Sequence, residues 1–152
     1  MKTDINPALK PIEMLVGAWD MELSNASFLP DAKATIHGRV SFEWFEGGDF
    51  LIVRQGAKKG GTPWATWFIG RDADSANYTV LYFDNRQVSR VYQMSFEISE
   101  WKIWRTAPGF SQRFVGKVDN RRKTIKAFWE KSTDGKRWER DFDVNYTKAE
   151  HS

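Results

Sequence analysis

Apolar and polar residues alternate along most of the chain from about residue 19 onward. In the clearest run, residues 34–46, one face carries Ile36, Gly38, Val40, Phe42 and Trp44, and the other carries His37, Arg39, Ser41 and Glu43. A period of two over that length predicts a half-buried β-strand. A first strand is predicted near 19–24, and further strands are predicted at roughly 50–57, 64–70, 77–84, 88–98, 100–106, 110–118, 123–131 and 137–147.

Short segments rich in Gly, Asn, Asp and Pro separate these runs. Residues 46–49, 107–109 and 133–136 are examples, and such residues tolerate positive φ or tight reversals. No connection is long enough for a crossover helix, so we expect an antiparallel meander of about ten strands. An open meander of that length would expose two edges. Closing it into an up-and-down barrel removes them.

One short helix is predicted before the first strand. Pro11 can begin it, because the first helical position needs no N–H, and Gly17 can end it. Its apolar stripe consists of Ile12, Leu15 and Val16. Such a helix is too short to be stable alone, so we expect it to cover one end of the barrel.

Composition narrows the chemistry that this barrel can support. The 152 residues fit one all-β domain at 11–148, with tails at 1–10 and 149–152. Because the chain has no Cys and only two His, we expect no thiolate or multi-histidine metal site. Aromatic residues make up 15% of the chain and include eight Trp. Such rings suit strand faces and cavity walls.

The residues that open the first strand resemble those of a known superfamily. Gly17-Ala18-Trp19 is similar to the Gly-x-Trp opening of the calycins, which include lipocalins, fatty-acid-binding proteins and nitrobindin-like barrels. In those families the Trp plugs one end of the barrel and a late basic residue packs over it. The resemblance gives Lys148 that place here, where Arg is usual.

A second resemblance covers nearly all of residues 11–148. Segments 43–48, 89–92, 107–114 and 130–138 resemble an uncharacterised bacterial calycin-like family. The resemblance implies a calycin-like barrel and carries no established activity.

The calycin resemblance also bears on cofactors. Nitrobindin-like barrels would ligate haem through a His on a late strand, but strand 137–147 has none and His151 lies in the tail. The alternation points His37 outward with Arg39. We therefore expect no haem and no other cofactor.

Basic side chains fall on the predicted apolar faces of several strands. Arg90 shares a face with Tyr92, Arg140 with Phe142, and Arg54 with Ile52. An unpaired cation inside a barrel is costly. Each arginine therefore needs water, a carbonyl, an acid such as Asp84 or an anionic ligand, unless it reaches solvent at a barrel end.

Two further observations concern arginines on the predicted apolar faces. Arg105 follows Trp101 and Ile103, but Trp104 makes the facing of that strand ambiguous. Arg90-Val91-Tyr92 resembles the Arg-x-Tyr pair with which fatty-acid-binding proteins hold a carboxylate, although their pair lies on the last strand.

These observations predict a binding cavity for a small amphipathic molecule. Its aromatic wall is predicted to consist of Trp44, Tyr82, Tyr92, Trp101, Phe114 and Trp129. The polar or anionic head of the ligand is predicted to contact Arg90 and Arg140, with help from Arg54 and Gln112. Two alternatives stay open. One is a cofactor-free cyclase or isomerase on the same barrel, and the other is a barrel whose rings fill the interior and leave no ligand site.

Charge and segment composition set the expected location and partners. The net charge is +3, from 23 basic and 20 acidic residues, which is an ordinary surface. Most rings lie on inner faces, with Trp67 and Trp104 as outward exceptions, so we expect no nucleic-acid partner.

With no signal-peptide or membrane-span pattern, we expect a cytoplasmic protein without a membrane partner. A homodimer could form through the outward apolar positions Leu51, Val53 and Phe83.

Overall fold

The chain folds into ten strands preceded by one short helix. The computed structural model describes residues 4–31 and 33–149, and His151 lies outside them. A 3₁₀ helix spans Pro7–Leu15. The strands are β1 (Gly17–Ser24), β2 (Ile36–Phe45), β3 (Phe50–Gly56), β4 (Ala65–Arg71), β5 (Tyr78–Asp84), β6 (Ser89–Glu97), β7 (Glu100–Arg105), β8 (Ser111–Val118), β9 (Thr124–Ser132) and β10 (Glu139–Lys148).

Each strand pairs antiparallel with its neighbour in sequence, and β1 closes the barrel on β10. Trp19 of β1 lies opposite Lys148 of β10 on one side and opposite Val40 of β2 on the other. This order confirms the predicted up-and-down barrel with a short N-terminal helix. The observed strand ends lie within two residues of the predicted ones, because the turns carry strong sequence signals.

The helix and the first strand close one end of the barrel, which we name the helix end. Trp19 is buried, and its Nε1 donates a hydrogen bond to the Leu15 carbonyl at 2.9 Å. Lys148 Nζ lies 4.7 Å from the Trp19 ring centroid and donates to the Val16 carbonyl at 2.6 Å. Gly17 adopts a φ of 126°, and a Cβ there would lie 2.8 Å from Lys148 Nζ. The predicted place of Lys148 over Trp19 is confirmed.

The helix begins earlier than predicted. It starts at Pro7 and contains Pro11, because Asn6 provides the N-cap by accepting a hydrogen bond from the Ala8 N–H at 3.0 Å. Its buried residues are Leu9, Ile12 and Leu15. A start at Pro11 is therefore wrong. No helix of the described residues has the length and apolar character needed to cross a bilayer.

The inner and outer faces of β3 are the reverse of those predicted. Leu51 and Val53 are buried and lie opposite Trp44 and Phe42 of β2, whereas Arg54 is exposed. Because cross-strand neighbours share a face, Leu51 and Val53 belong to the interior. The sequence of β3 is apolar on both faces, so its alternation carries no register information. The prediction that Leu51 and Val53 form a dimer surface is wrong, and Phe83 alone of the three is exposed.

A β-bulge reverses the predicted facing at the start of β10. Arg140 pairs with Glu130 and Phe142 pairs with Trp129, so the register shifts between Arg140 and Phe142. An extra residue of this kind turns the side chains before it to the opposite face. Arg140 is therefore exposed on the outer wall, where it lies over the Phe128 ring and pairs with Asp143.

The interior is a continuous cluster of buried apolar and aromatic side chains. Trp67 belongs to it, so its predicted outward position is wrong, whereas Trp104 is half-buried and faces outward beside Gln93. The predicted outward position of His37 is confirmed, and its ring lies 3.6 Å from Glu22. Among the residues that the structure describes, no three His, Asp or Glu side chains are placed to hold a metal ion.

Candidate functional site

A polar cluster lies inside the barrel at the end opposite the helix, which we name the far end. It consists of Arg90 and Tyr92 from β6 and Gln112 from β8. The Tyr92 hydroxyl donates a 2.6 Å hydrogen bond to Gln112 Oε1, and Arg90 Nη1 lies 3.4 Å from the same oxygen. Tyr92 and Gln112 are only 4% and 7% exposed. The predicted association of these three residues is therefore present.

The partners of Gln112 fix the orientation of its amide. An arginine can only donate hydrogen bonds, so the amide oxygen must face Arg90. Burial raises the pKa of the Tyr92 hydroxyl, although the charge of Arg90 opposes this shift. Tyr92 is therefore a neutral donor at physiological pH, and Gln112 Oε1 receives both hydrogen bonds.

A second network at the far end surrounds Asp84. Its carboxylate accepts hydrogen bonds from the Tyr82 hydroxyl at 2.7 Å and from Arg86 Nη2 at 2.6 Å. Its other oxygen accepts from the backbone N–H groups of Arg86 and Val88. Burial alone would raise the pKa of Asp84, but these hydrogen bonds outweigh it and hold the pKa well below its usual range. Asp84 is thus an ionised carboxylate committed to Arg86, and it does not neutralise Arg90.

Two guanidinium groups at the far end have no acidic partner within the described residues. Arg90 is half-buried and lies 5.0 Å from the Phe110 ring centroid. Arg105 of β7 is half-buried and donates from Nη1 to the Phe110 carbonyl at 3.4 Å. Both arginines act electrostatically on Tyr92. The far end therefore carries excess positive charge next to apolar surface.

A column of aromatic rings leads from this cluster into the barrel. Tyr92 contacts Tyr82 at 5.8 Å and Trp129 at 5.7 Å between centroids. Trp129 contacts Phe114 at 5.1 Å, and Phe114 contacts Trp101 at 4.8 Å. These are direct packing distances, so the rings occupy the middle of the barrel.

Two buried indole N–H groups inside the barrel have no hydrogen-bond acceptor among the residues that the structure describes. They belong to Trp67 and Trp101. The Trp67 ring lies 6.4 Å from the Tyr82 ring, which places it close to the far-end cluster. A buried donor without an acceptor is costly. The interior therefore has an excess of donors as well as of positive charge.

The barrel wall is split beside the cluster. The pairing of β6 with β7 runs from Glu97 only as far as Gln93, which lies opposite Trp104. Beyond that point β7 ends at Arg105, residues 89–92 of β6 have no partner on β7, and a cleft of about 470 Å³ lies beside them. It is lined by Leu81, Phe83, Ser89, Arg90, Val91, Tyr92, Gln93, Trp104, Arg105 and Thr106. The outward apolar side chains of β5 and β6 thus adjoin the two arginines that lack an acidic partner.

The structure brings together seven of the ten residues predicted to bind a ligand. Tyr82, Arg90, Tyr92, Gln112, Trp129, Phe114 and Trp101 form the cluster and its aromatic column. Trp44 packs against the core near the β2–β3 turn, at the helix end. Arg54 lies on the outer wall, 3.7 Å from Glu43, and Arg140 also lies outside. The predicted inward positions of Arg54 and Arg140 are therefore wrong.

Sequence reasoning left two parts of this site unassigned. Arg105 has alternating neighbours that point it inward, but Trp104 obscured that signal. The cleft has no sequence signal at all, because the residue at which two strands part depends on the whole barrel. The Asp84–Arg86 pair follows from a turn in which the carboxylate caps the backbone two residues on.

Replacing Asp84 with Asn should destabilise the fold in a pH-dependent manner. At neutral pH we expect a loss of about 1–3 kcal/mol, because the network loses the negative charge and one of its two acceptor oxygens, which is replaced by an NH₂ donor. The folded pKa of Asp84 lies below the unfolded value, so its stabilising contribution is present above the ordinary Asp pKa and is lost as the pH falls below about 4. Urea unfolding of wild type and D84N at several pH values measures this difference.

The exposed turn residue Asp74 provides the control for this prediction. D74N should change the unfolding free energy by less than about 0.5 kcal/mol, as is usual for surface positions. A D84N penalty that stays constant from pH 7 to strongly acidic pH would contradict an ionised, stabilising Asp84.

Comparison with known proteins supports the fold and extends no further. No protein-family model matches the sequence, and no curated protein matches it. The chain is similar in structure to Rv2717c from M. tuberculosis, known from a crystal structure, with a TM-score of 0.65 and 12% sequence identity. The match covers 96% of this chain and 99% of that chain. This chain and Rv2717c therefore share a barrel fold. At such low identity, the similarity carries no information about ligand or activity.

Proposed function

We propose that this protein binds a small amphipathic anion at the far end of the barrel, with the anionic group at Arg90, Arg105 and Gln112. The observation that carries the proposal is the pair of guanidinium groups that lack an acidic partner within the described residues and adjoin a buried aromatic cluster. A carboxylate or a similar anion supplies both the missing charge and the missing acceptors.

The hydrogen-bond inventory supports an anion rather than a cation or a neutral donor. Gln112 Oε1 already accepts from Tyr92 and Arg90. The carboxylate of Asp84 is occupied by Arg86 and Tyr82. The groups at this site that remain free to bind include the guanidinium N–H donors of Arg90 and Arg105. A ligand rich in acceptors is therefore complementary to this site.

The proton affinities of the cluster favour binding over proton-transfer catalysis. The pKa of Asp84 is lowered by its hydrogen bonds, so its carboxylate is a weak base. Burial and the neighbouring Asp84 raise the pKa of Tyr82, and burial raises that of Tyr92, so both are weak acids. A cyclase or isomerase that moves protons needs a group whose pKa lies closer to neutrality. We therefore place the protein among binding proteins rather than enzymes.

Two finer assignments belong to the same proposal. Segments 43–48 and 130–138 support membership of the uncharacterised bacterial calycin-like family, and the sequence composition supports a cytoplasmic location. Neither assignment is needed for the binding site, which depends on the far-end geometry alone.

A comparison of charged and neutral ligands tests the proposal. We expect aryl and medium-chain alkyl carboxylates to bind saturably with one site per chain and to raise the melting temperature. The corresponding primary amides should bind at least about tenfold more weakly, because hydrogen bonds to a charged group contribute about 1.5–3 kcal/mol. Native mass spectrometry gives the stoichiometry, and titration calorimetry gives the affinity. Equal binding of acids and amides, or no binding of either, would rule out an anion site.

A further inference from the structure

We infer that the apolar part of the ligand lies in the cleft between β6 and β7, on the outer wall of the barrel, and not in the barrel interior. This inference rests on the proposed function, because it takes the anionic group to be at Arg90 and Arg105. The ligand class is then a carboxylate that carries a short alkyl chain or a single ring. Its carboxylate reaches Arg90 and Arg105 between β6 and β7, and its apolar part lies in the cleft outside.

Packing of the interior is the first argument. The rings of Tyr92, Trp129, Phe114 and Trp101 contact one another in sequence, with centroids 4.8–5.7 Å apart. Trp101 continues the contacts to Phe42 at 6.1 Å and Tyr146 at 5.9 Å. These buried side chains pack against one another inside the barrel below the cluster. An alkyl chain placed there would have to displace closely packed rings.

The chemistry of the cleft is the second argument. Three apolar side chains line its outer part, namely Leu81, Phe83 and Val91, and all are exposed. The indole of Trp104 lines the side formed by β7, and Arg90 and Arg105 lie among the lining residues. Its volume of about 470 Å³ falls within the usual range of small-molecule sites. The cleft thus joins exposed apolar surface to the excess positive charge.

The distribution of charge on the outer wall is the third argument. The outward side chains next to the cleft on β5 and β6 include Thr79, Leu81, Phe83, Val91 and Gln93, none of which is charged. The chain as a whole contains 28% charged residues. Among the residues that line the cleft, Arg90 and Arg105 are the charged ones. An anion with an apolar tail matches both parts of this surface at once.

A homologous series of straight-chain carboxylates tests the position of the chain. Hexanoate, octanoate and decanoate are titrated into wild type and into the double variant F83S/V91S by calorimetry at constant ionic strength. In wild type we expect affinity to rise about two- to fourfold for each added methylene, as partial to full burial of a CH₂ predicts. In F83S/V91S this increment should fall below about 1.5-fold, while hexanoate affinity changes less than about threefold.

A matched variant controls for the general loss of surface apolarity. Phe50 and Phe83 are both 45% exposed on the outer wall, but Phe50 lies on β3 and does not line the cleft. F50S should keep the wild-type increment per methylene. Val91 is 61% exposed, and the single variant V91T keeps a β-branched side chain suited to a strand, so it tests the same surface with the fold intact.

The outcomes separate this inference from the proposed function. If the increment per methylene stays at the wild-type value in F83S/V91S, the chain lies elsewhere and the inference is overturned, while the anion site stands. If F50S reduces the increment as strongly as F83S/V91S, the cleft is not the specific site and the inference is again overturned. If no carboxylate binds wild type, the proposed function fails and this inference fails with it.

Discussion

Replacing Arg90 with Met weakens the binding of carboxylates by about 10- to 100-fold, as expected when a hydrogen bond to a charged group worth about 1.5–3 kcal/mol is lost. Arg90 is half-buried, and its Nη1 donates a long hydrogen bond of 3.4 Å to Gln112 Oε1. Met preserves the apolar stem beside Phe110, so the barrel should keep its stability within about 1 kcal/mol. Calorimetric titration gives the affinity, and urea unfolding checks the fold.

Two other arginines supply unusually close controls. Arg54 and Arg140 lie on the outer wall in ion pairs with Glu43 and Asp143. R54M and R140M remove the same charge from the chain as R90M does, so any effect of net charge on anion binding is matched. Both should keep the wild-type affinity within about twofold, a difference well below the 1.4 kcal/mol of a tenfold change. If R90M and R54M lose the same amount of carboxylate affinity, the loss comes from nonspecific electrostatic attraction, and the proposed site at Arg90 is contradicted.

The success of the strand prediction has a simple physical cause. Strands such as β2 and β6 carry polar residues on one face and apolar residues on the other, so the period of two reveals both the strand and its facing. Arg90, Tyr92 and Gln112 lie on strands of this kind. Their shared inward orientation follows from the sequence pattern and closure of the meander, whereas the end of the barrel at which they meet was not predicted.

The failures arise where that contrast is missing or interrupted. β3 is apolar on both faces, so the positions of Leu51, Val53 and Arg54 depend on pairing with β2. In β10 a bulge before Phe142 turns Arg140 outward. A bulge and a split ladder are set by the strands on either side, so neither can be read from one strand alone.

The cleft, which the sequence could not predict, changes where the ligand is expected to bind. The predicted cavity was an enclosed aromatic pocket, whereas the aromatic rings pack against each other and the accessible space lies in the wall. The residue Arg105 then becomes as important as Arg90, because the two arginines lie on opposite sides of the split. The hypothesis of a filled interior and the hypothesis of a ligand site are therefore compatible in one barrel.

Replacing Trp19 with Ala should lower the free energy of unfolding by about 3–5 kcal/mol, the range found for truncating a large buried ring. Trp19 is fully buried at the helix end. Its loss leaves a cavity, removes the donor to the Leu15 carbonyl, and removes the ring beneath the Lys148 ammonium group. Because typical domains have only about 5–15 kcal/mol of stability, this single change consumes a large part of it. Urea unfolding followed by far-ultraviolet circular dichroism measures the loss.

The matched control for this prediction is Trp138 to Ala. Trp138 is half-buried at the far end, outside the main core, and its ring lies 4.1 Å from the Arg113 guanidinium. An exposed contact between a cation and a ring contributes about 0.5–1 kcal/mol, so W138A should cost about 1 kcal/mol. Both variants retain seven Trp, so their spectroscopic signals come from the same number of indole rings. If W19A costs no more than W138A, the helix end does not depend on Trp19 as a plug.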